Sequence, residues 1–393
     1  MRTICVVTTT RAEYGALRNL LINMKSDSDL ELQIIATGTH LSPEFGLTSR
    51  EIEGDGFTIN KKIEMLLSSD TPVGVSKSMG LTQISFAEAF DELKPDILVV
   101  IGDRYELIPI VSSANIANIP VAHISGGEIT EGALDDMFRH AITKLSKLHF
   151  TAMDEYSHRI VQMGEHPSRV HTVGEIGLEN ILQMNLMSRP EFELSIGCKL
   201  KRHNIIFTFH PETTRDVNEL DGDLTTILRS LDRLEDTLLI FTKANSDVGG
   251  RLINKIIDDY VSINKHKAIV FMSLGQLRYL SALKYVDAIV GNSSSGIIEA
   301  PSFNISTINV GDRQKGRVRA SSIIDVEIDE NEIFNAIQSV FTLKIKKTIN
   351  KNINPYYKKN SSQRIVTILK EVDLYKLNAK CFYDIDFSIK GTW

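Results

Sequence analysis

Three carboxylates in the first half of the chain follow short apolar runs. Asp103 stands in Gly102-Asp103-Arg104-Tyr105-Glu106, Glu128 closes His123-Ile-Ser-Gly126-Gly127-Glu128, and Asp135 heads Asp135-Asp136-Met-Phe-Arg139-His140. Singly, each has an ordinary explanation: Asp103 fits a helix N-cap, and Asp135 fits a first helical turn. As a set they predict more. Three strand-end loops of one sheet would deliver them towards one cleft. Carboxylates crowded in a closed site repel, which lifts at least one towards neutrality and provides an acid and a base together. The Gly126-Gly127 pair lets backbone approach a ligand closely.

The other chemistry-bearing clusters suit a phosphate. Arg11, in Thr8-Thr-Thr-Arg11-Ala-Glu13-Tyr-Gly15, stands at a predicted helix start, where guanidinium and backbone N–H groups converge on an anion; a surface ion pair is the equal alternative. His210, in Phe209-His210-Pro211-Glu212-Thr213, would donate a hydrogen bond or a proton to a diphosphate, although a satisfied loop histidine is the commoner case. Gly291-Asn-Ser293-Ser294-Ser295-Gly296 ends a strand and opens a helix reaching Glu299. Hydroxyls and unpaired N–H groups there form a phosphate cradle, and Glu299 could accept from ribose hydroxyls. Arg313, in Gly311-Asp312-Arg313-Gln314-Lys315-Gly316-Arg317, adds a cation at the cleft edge, in a run that is partly a charged turn.

What is missing narrows the chemistry. No G-x-G-x-x-G follows a strand, so a nicotinamide cofactor is unsupported, and no H-E-x-x-H or ligand-spaced histidines suggest a metal. No G-x-S-x-G elbow is present, and Ser293–Ser295 would be nucleophiles only beside a base. No cofactor is expected.

These loops need rigid elements to place them. Thr3–Val7, Leu32–Ala36, Ile97–Ile101, Val121–Ile124 and His149–Thr151 read as buried strands; Ala12–Met24, Val75–Leu93, Glu106–Ala117 and Asp135–Leu145 read as the helices between them. Continuous Val/Ile runs separated by helical patterns predict a parallel sheet covered on both faces. The rhythm restarts with strands at Asn204–Phe209, Thr237–Thr242, Ala268–Phe271, Ala288–Val290 and Ser306–Asn309, and helices at Asp216–Arg233, Gly249–Ile263 and Leu277–Lys284. The stretch Glu179–Lys201 lacks a strand signal and marks the junction. The fold class is therefore α/β, with two doubly wound sheets whose ligands lie outside the carboxyl ends of the strands. The basic run from Lys344 to Lys359 reads as solvated surface, and a helical pattern resumes at Ile365–Val372.

Composition agrees. A chain of 393 residues suits two domains, and 42% hydrophobic with 24% charged residues is ordinary for a globular protein. The net charge of −6 disfavours nucleic acid as a partner. Cys5, Cys198 and Cys381 lie far apart without a disulfide framework, no apolar run spans a membrane, and no signal peptide is evident, so a cytoplasmic location is expected.

Taken in order, Arg11 to Gly15, Gly102-Asp103-Arg104, His123 to Glu128, Arg139-His140-Ala-Ile-Thr-Lys144, Phe209 to Glu212, Gly291 to Glu299 and Gly311 to Arg317 resemble the hydrolysing UDP-N-acetylglucosamine 2-epimerases of bacterial sialic-acid-type pathways. The resemblance implies a GT-B fold. Residues 1–185 would form a Rossmann-like domain on the sugar side, completed by 360–393, and residues 186–359 would form the UDP-binding domain, with a C-terminal helix crossing back. It implies a homodimer without metal or redox cofactor. Asp103, Glu128 and Asp135 would face the sugar; Arg11, His210 and Arg313 would meet the phosphates; Ser294 and Ser295 would hold the diphosphate and Glu299 the ribose. UDP would leave to give a 2-acetamidoglucal, and hydration would invert C2, releasing N-acetylmannosamine. The segments His40–Gly46, Met65–Pro72 and Ser76–Gly80 look like those of relatives acting on UDP-N,N'-diacetylbacillosamine, the alternative substrate. A GT-B glycosyltransferase and a non-catalytic nucleotide-sugar sensor are the competing readings.

Overall fold

The computed structural model describes residues 1–67, 69, 71–131, 134–211, 220–244, 250–342 and 354–386. The chain forms two compact units. One comprises Met1–Glu128, Met137–Asn180 and Tyr356–Trp393; the other comprises Ile129–Asp136 and Ile181–Pro355.

The first unit runs β1 (Arg2–Thr8), α1 (Arg11–Ser26), β2 (Leu30–Thr37), α2 (Ser49–Gly54), β3 (Lys61–Ile63), α3 (Pro72–Leu93), β4 (Ile97–Ile101), α4 (Leu107–Ile116), β5 (Val121–Ile124), α5 (Leu134–Leu145), β6 (Leu148–Thr151), α6 (Asp154–Gln162), β7 (Val170–Thr172) and α7 (Gly177–Gln183). Its seven strands lie in the order β3-β2-β1-β4-β5-β6-β7, each pair parallel. Alternate residues of one strand feed opposite faces. Ile4, Val6, Ile97 and Val99 pack with Leu17 and Leu20 of α1. Cys5, Val7, Leu98 and Val100 pack with Phe86 and Phe90 of α3 and with Ile110 and Val111 of α4. A strand buried on both faces has no room for polar alternation, which is why these strands read as unbroken apolar runs.

The second unit contains α8 (Arg189–Ile196), β8 (His203–Thr208), α9 (Leu220–Asp232), β9 (Thr237–Thr242), α10 (Gly250–Ile263), β10 (Ala268–Phe271), α11 (Gly275–Ala282), β11 (Ala288–Gly291), α12 (Ser294–Ile298), β12 (Ser306–Val310), β13 (Ile323–Val326) and α13 (Glu330–Phe341). Its six parallel strands lie in the order β10-β9-β8-β11-β12-β13. Ile205, Phe207, Phe241, Val290 and Ile308 pack against Leu224, Ile227, Ile253, Ile257, Ile333 and Ile337 of the helices.

The chain then returns to the first unit as α14 (Ser361–Glu371) and α15 (Leu374–Asn378). Ile365, Val366 and Leu369 join Leu17 and Leu20 in the core. The residue before α14, Asn360, is in the left-handed region and offers no side-chain cap. The Glu179 carboxylate replaces it, accepting from the Ser362 N–H at 3.1 and 3.2 Å. Lys370 in the last turn pairs with Asp27 at 2.9 Å, fastening the helix to the end of α1.

Every strand expected from the apolar runs is present, and the bounds move by one or two residues. Three short strands, β3, β7 and β13, were not expected. Each lies at a sheet edge, where one flank is unpaired and polar residues such as Lys61, Lys62, His171 and Asp325 are tolerated. The helix expected over Leu277–Lys284 lies two residues earlier, and Glu179–Lys201, expected only to lack strand, holds the end of α7 and all of α8. The start of the pattern at Asp216, Glu212, Gly249 and the lysines at 344–347 lie outside the described residues.

Candidate active site

In each sheet the strand order runs outward in both directions from one central pair: β1 and β4 in the first unit, β8 and β11 in the second. Loops leaving such a pair diverge to opposite faces and open a crevice at the carboxyl ends of the strands. Arg11 follows β1 and Asp103 follows β4; His210 follows β8 and Ser293–Ser295 follow β11. The strongest sequence clusters thus occupy the place that doubly wound topology reserves for ligands.

In the first unit Asp103 does not cap α4; Glu106 holds that position, without a side-chain cap. Asp103 is ion-paired instead with Arg139 of α5, whose side chain is 1% exposed while that of Asp103 is 26% exposed. A guanidinium stays charged under these conditions, so it favours an anionic partner. The same guanidinium donates to the Glu128 carbonyl at 3.1 Å, so one buried cation joins the loops after β4 and β5. Glu128 is buried.

The loop Ser125–Glu128 is held residue by residue. Ser125, at φ +63°, donates its hydroxyl to Glu175 at 3.2 Å. Gly126 lies against Thr143 and His123, and Gly127 offers its carbonyl to Arg159. His123, fully buried in β5, sets the neighbouring loop. Its Nε2 lies 2.7 Å from the Gly102 carbonyl, which can only accept, so the proton sits on Nε2; Nδ1 accepts from the Thr143 hydroxyl at 3.1 Å. Burial pushes its pKa down to about 3, so the ring stays neutral and this polarity persists.

Asp135 and Asp136 lie in the first turn of α5, one turn before Arg139. Asp136 accepts from the Thr130 N–H at 2.6 Å, and the Glu131 N–H donates to the Lys315 carbonyl at 3.2 Å. Gly316 closes on Ile129, and the segment Ile129–Asp136 groups with the second unit. Asp103 and Glu128 are therefore drawn together through Arg139, and Asp135 belongs to a neighbouring segment.

Arg11 opens α1, and its Nε donates to Glu51 at 2.9 Å with both side chains partly exposed. This is the surface pair weighed as the alternative to phosphate binding. Two residues on, Glu13 folds back and accepts from the Thr9 N–H at 2.6 Å and the Thr9 hydroxyl at 2.9 Å. Burial lifts its carboxyl to about 7, while Arg104 opposes the shift. Arg104 also meets the buried Glu106 at 3.0 Å.

In the second unit the register sets Gly291 of β11 opposite Thr208 of β8. A Cβ on Gly291 would lie 1.9 Å from the Thr208 carbonyl oxygen, and its φ is +130°, so only glycine permits this approach. The two loops then emerge side by side. The His210 N–H donates to the Asn292 side-chain oxygen at 2.7 Å, and the Asn292 amide donates back to the His210 carbonyl at 2.8 Å. Arg313 and Gln314 donate to the Asn292 carbonyl at 3.0 and 2.9 Å. Burial, with Arg313 adding to it, pushes the His210 pKa down to about 3. A neutral imidazole suits a hydrogen-bond donor rather than a cation. Its Nδ1 has no partner among the described residues.

Ser293 precedes α12 without a side-chain cap bond, and Ser294 opens it. Ser295 hydrogen-bonds the Tyr279 hydroxyl, whose pKa is raised by burial and by the nearby Glu299. Gly296 packs on Thr307, and Glu299, half-buried, ends the short helix. The structure thus gathers His210, Ser293 and Arg313 around one residue, Asn292, whose part is not marked by the motif that contains it. Arg139 and Glu13 were likewise seen only as parts of motifs. A signal for Arg139 lay in the sequence: it stands four residues after Asp135, the spacing that shares one helix face. Among the described residues no three His, Cys, Asp or Glu side chains are grouped as metal ligands.

A family model described as UDP-N-acetylglucosamine 2-epimerase matches residues 22–370. The chain is 44% identical to the GDP/UDP-N,N'-diacetylbacillosamine 2-epimerase (hydrolyzing) of Campylobacter jejuni, over 98% of this chain and 99% of that one. It is 30% identical to the UDP-N-acetylglucosamine 2-epimerase of Neisseria meningitidis serogroup B, over 98% of this chain and 100% of that one. A crystal structure of UDP-GlcNAc 2-epimerase from Neisseria meningitidis bound to UDP-GlcNAc superposes with a TM-score of 0.81 at 15% identity, covering 94% of this chain and 99% of that one. The expected α/β, GT-B-like fold with two Rossmann-like halves is the fold of this chain.

Proposed function

This chain belongs to the UDP-N-acetylglucosamine 2-epimerase family and is a hydrolysing UDP-sugar 2-epimerase, and from that premise we propose that its substrate is UDP-N,N'-diacetylbacillosamine, with UDP-N-acetylglucosamine as the second reading. The observation that carries the order is identity. The chain shares 44% with a relative named for the diacetylated sugar and 30% with one named for UDP-N-acetylglucosamine, each over 98% of its length. The name of the first also covers a GDP-linked sugar, so the base is part of the test.

The reaction would proceed in two stages. A carboxylate removes the C2 proton as the C1–O bond to the diphosphate breaks, leaving a C1=C2 double bond in a 2-acetamido glycal that keeps the second acetamido group where the substrate has one. Water then adds at C1, and a proton returns to C2 from the opposite face. Asp103, Glu128 and Asp135 are the proton-transfer residues of this reading, with Arg139 holding Asp103 anionic and Glu128 in place. The departing diphosphate carries the growing charge, and preorganised donors aimed at it would be the largest single electrostatic contribution. His210, Ser293, Ser294, Ser295, Gly296 and Arg313 are assigned to it, and Glu299 to the ribose. Arg11 would join them by exchanging Glu51 for phosphate. No cofactor is assigned.

The enzyme would work in the cytoplasm as a homodimer. Exposed Val73, Leu81 and Ile84 on α3 support a partnered helix face, and sedimentation equilibrium reads the mass.

The test offers UDP-N,N'-diacetylbacillosamine, its GDP counterpart and UDP-N-acetylglucosamine in parallel in deuterated water. The expected result is free nucleoside diphosphate and a free 2-epimerised sugar carrying deuterium at C2, fastest for the UDP-linked diacetylated substrate. An intact nucleotide sugar as product, or a product without deuterium at C2, would sink the reading. Faster turnover of UDP-N-acetylglucosamine would reverse the order of substrates.

A further inference from the structure

We propose that Asn292 is a positioning residue that sets His210 and the Ser293–Ser295 turn for the leaving diphosphate, an inference that rests on the function proposed above. Asn292 is fully buried, so it acts through its neighbours. Its side-chain amide engages the N–H and the carbonyl of one residue, His210, at 2.7 and 2.8 Å. This reciprocal pair needs an acceptor and a donor on one short side chain. Aspartate lacks the donor, serine lacks the reach, and glutamine adds a methylene to a side chain that is fully buried.

The main chain of the same residue takes the other loop. Its carbonyl receives Arg313 at 3.0 Å and Gln314 at 2.9 Å, and its successor, Ser293, is the residue before α12. Three loops, after β8, β11 and β12, therefore meet on Asn292. The Gly291–Thr208 approach brings Asn292 beside the loop after β8, since the two strand ends are in contact one residue earlier. Without the amide, the His210 N–H and carbonyl would lose the side-chain partners that hold them among the described residues, and the loop carrying the imidazole would have to shift to satisfy them. A displacement near 1 Å at a catalytic group costs about 10²-fold in rate.

The test measures kcat, KM and UDP affinity for wild type, Asn292→Ala, Asn292→Asp, His210→Ala and the double variant Asn292→Ala/His210→Ala. Asn292→Ala should lower kcat by about 10- to 100-fold and weaken UDP binding. Asn292→Asp, which keeps the acceptor, should fall between it and wild type. The double variant should be no slower than His210→Ala, because the asparagine side chain acts through the histidine, while the main chain that carries Arg313, Gln314 and the serine turn is kept in Asn292→Ala. Multiplying losses in the double variant would overturn the proposal, as would wild-type kcat and UDP affinity in Asn292→Asp. If circular dichroism shows that Asn292→Ala does not fold, the cycle is run with Asn292→Asp, to the same criteria. A wild-type protein that neither binds UDP nor releases it from any of these sugars overturns the functional reading and the proposal together; an active wild type with independent losses overturns the proposal alone.

Discussion

A buried guanidinium has to be answered by something. Arg139 is answered by the Asp103 carboxylate and the Glu128 carbonyl, two groups from different loops. Breaking a buried pair from one side leaves an uncompensated charge, which costs about 3–5 kcal/mol where both partners are dry. Asp103 is partly exposed, so the cost here is smaller, and the larger consequence falls on position. Arg139→Met should leave a folded protein in which Asp103 and the 125–128 loop are no longer locked together. Its kcat should fall by about 10²-fold or more, as should that of Asp103→Asn, Glu128→Gln and Asp135→Asn if each moves a proton. Steady-state kinetics with matched circular dichroism spectra decide the matter. Wild-type turnover in any of the three acid variants would remove that acid from the mechanism.

At the scale of elements, the strands matter for where they stop. The loop Ser125–Glu128 is pinned by side chains from α5, α6 and the approach to α7, and its two glycines are not equivalent. A Cβ on Gly127 would lie 2.4 Å from the Tyr156 carbonyl oxygen, at φ +80°. A Cβ on Gly126 would lie 2.9 Å from the Thr143 hydroxyl and 3.0 Å from the His123 ring, a less severe approach, to side-chain rather than backbone atoms and without a positive φ. Gly127→Ala should therefore lower the midpoint of thermal unfolding by several degrees more than Gly126→Ala, corresponding to a difference of about 1 kcal/mol or more. Equal midpoints would show that α6 can move away. These loops also explain what could be read in advance. Buried parallel strands declare themselves by apolar content, and ligand loops must follow them, so Asp103, Glu128, His210 and Ser293–Ser295 were legible as strand-end residues. Edge strands such as Lys61–Ile63 keep one flank open to polar residues and gave no such signal. Asn292 is not marked by any local pattern, because its importance lies in which backbone groups it engages, and that is decided by register, Gly291 opposite Thr208. The contact of Glu13 to Thr9 is local, but its raised carboxyl is set by burial, which the motif does not show.

Burial shifts several titratable groups of the molecule towards their neutral forms, and this sets its response to pH. Burial holds His40 near a pKa of about 4 and His123 and His210 near about 3, against 6.5 for a free imidazole. Each is neutral in the folded protein and protonated in the unfolded chain below pH 6.5. The stability they contribute is present above that value and is lost as the pH falls towards their folded pKa. Glu13 has the opposite sign. Its carboxyl is raised from 4.5 to about 7, so the folded state keeps a proton that the unfolded chain gives up. Its contribution is present below about pH 4.5 and is lost as the pH rises through 7. Glu165, lowered to about 2 amid its bonds to His149, Lys144 and Lys380, matters only in stronger acid. Burial lowers His149 and His171 as well, so between pH 6.5 and 4.5 at least three imidazoles oppose one carboxyl, and the imidazoles win. Each costs about 2 kcal/mol by pH 5. Thermal unfolding should be most resistant from about pH 7 upward, where these contributions level off, and should weaken steeply from pH 6.5 towards pH 5. Calorimetry at pH 5.5 in two buffers of different ionisation enthalpy should show a net uptake of about two protons or more on unfolding. No uptake, or net release, would mean that these imidazoles are already charged in the folded state. The neutral His123 that fixes the Gly102 carbonyl, and with it the loop carrying Asp103, would then have to be abandoned.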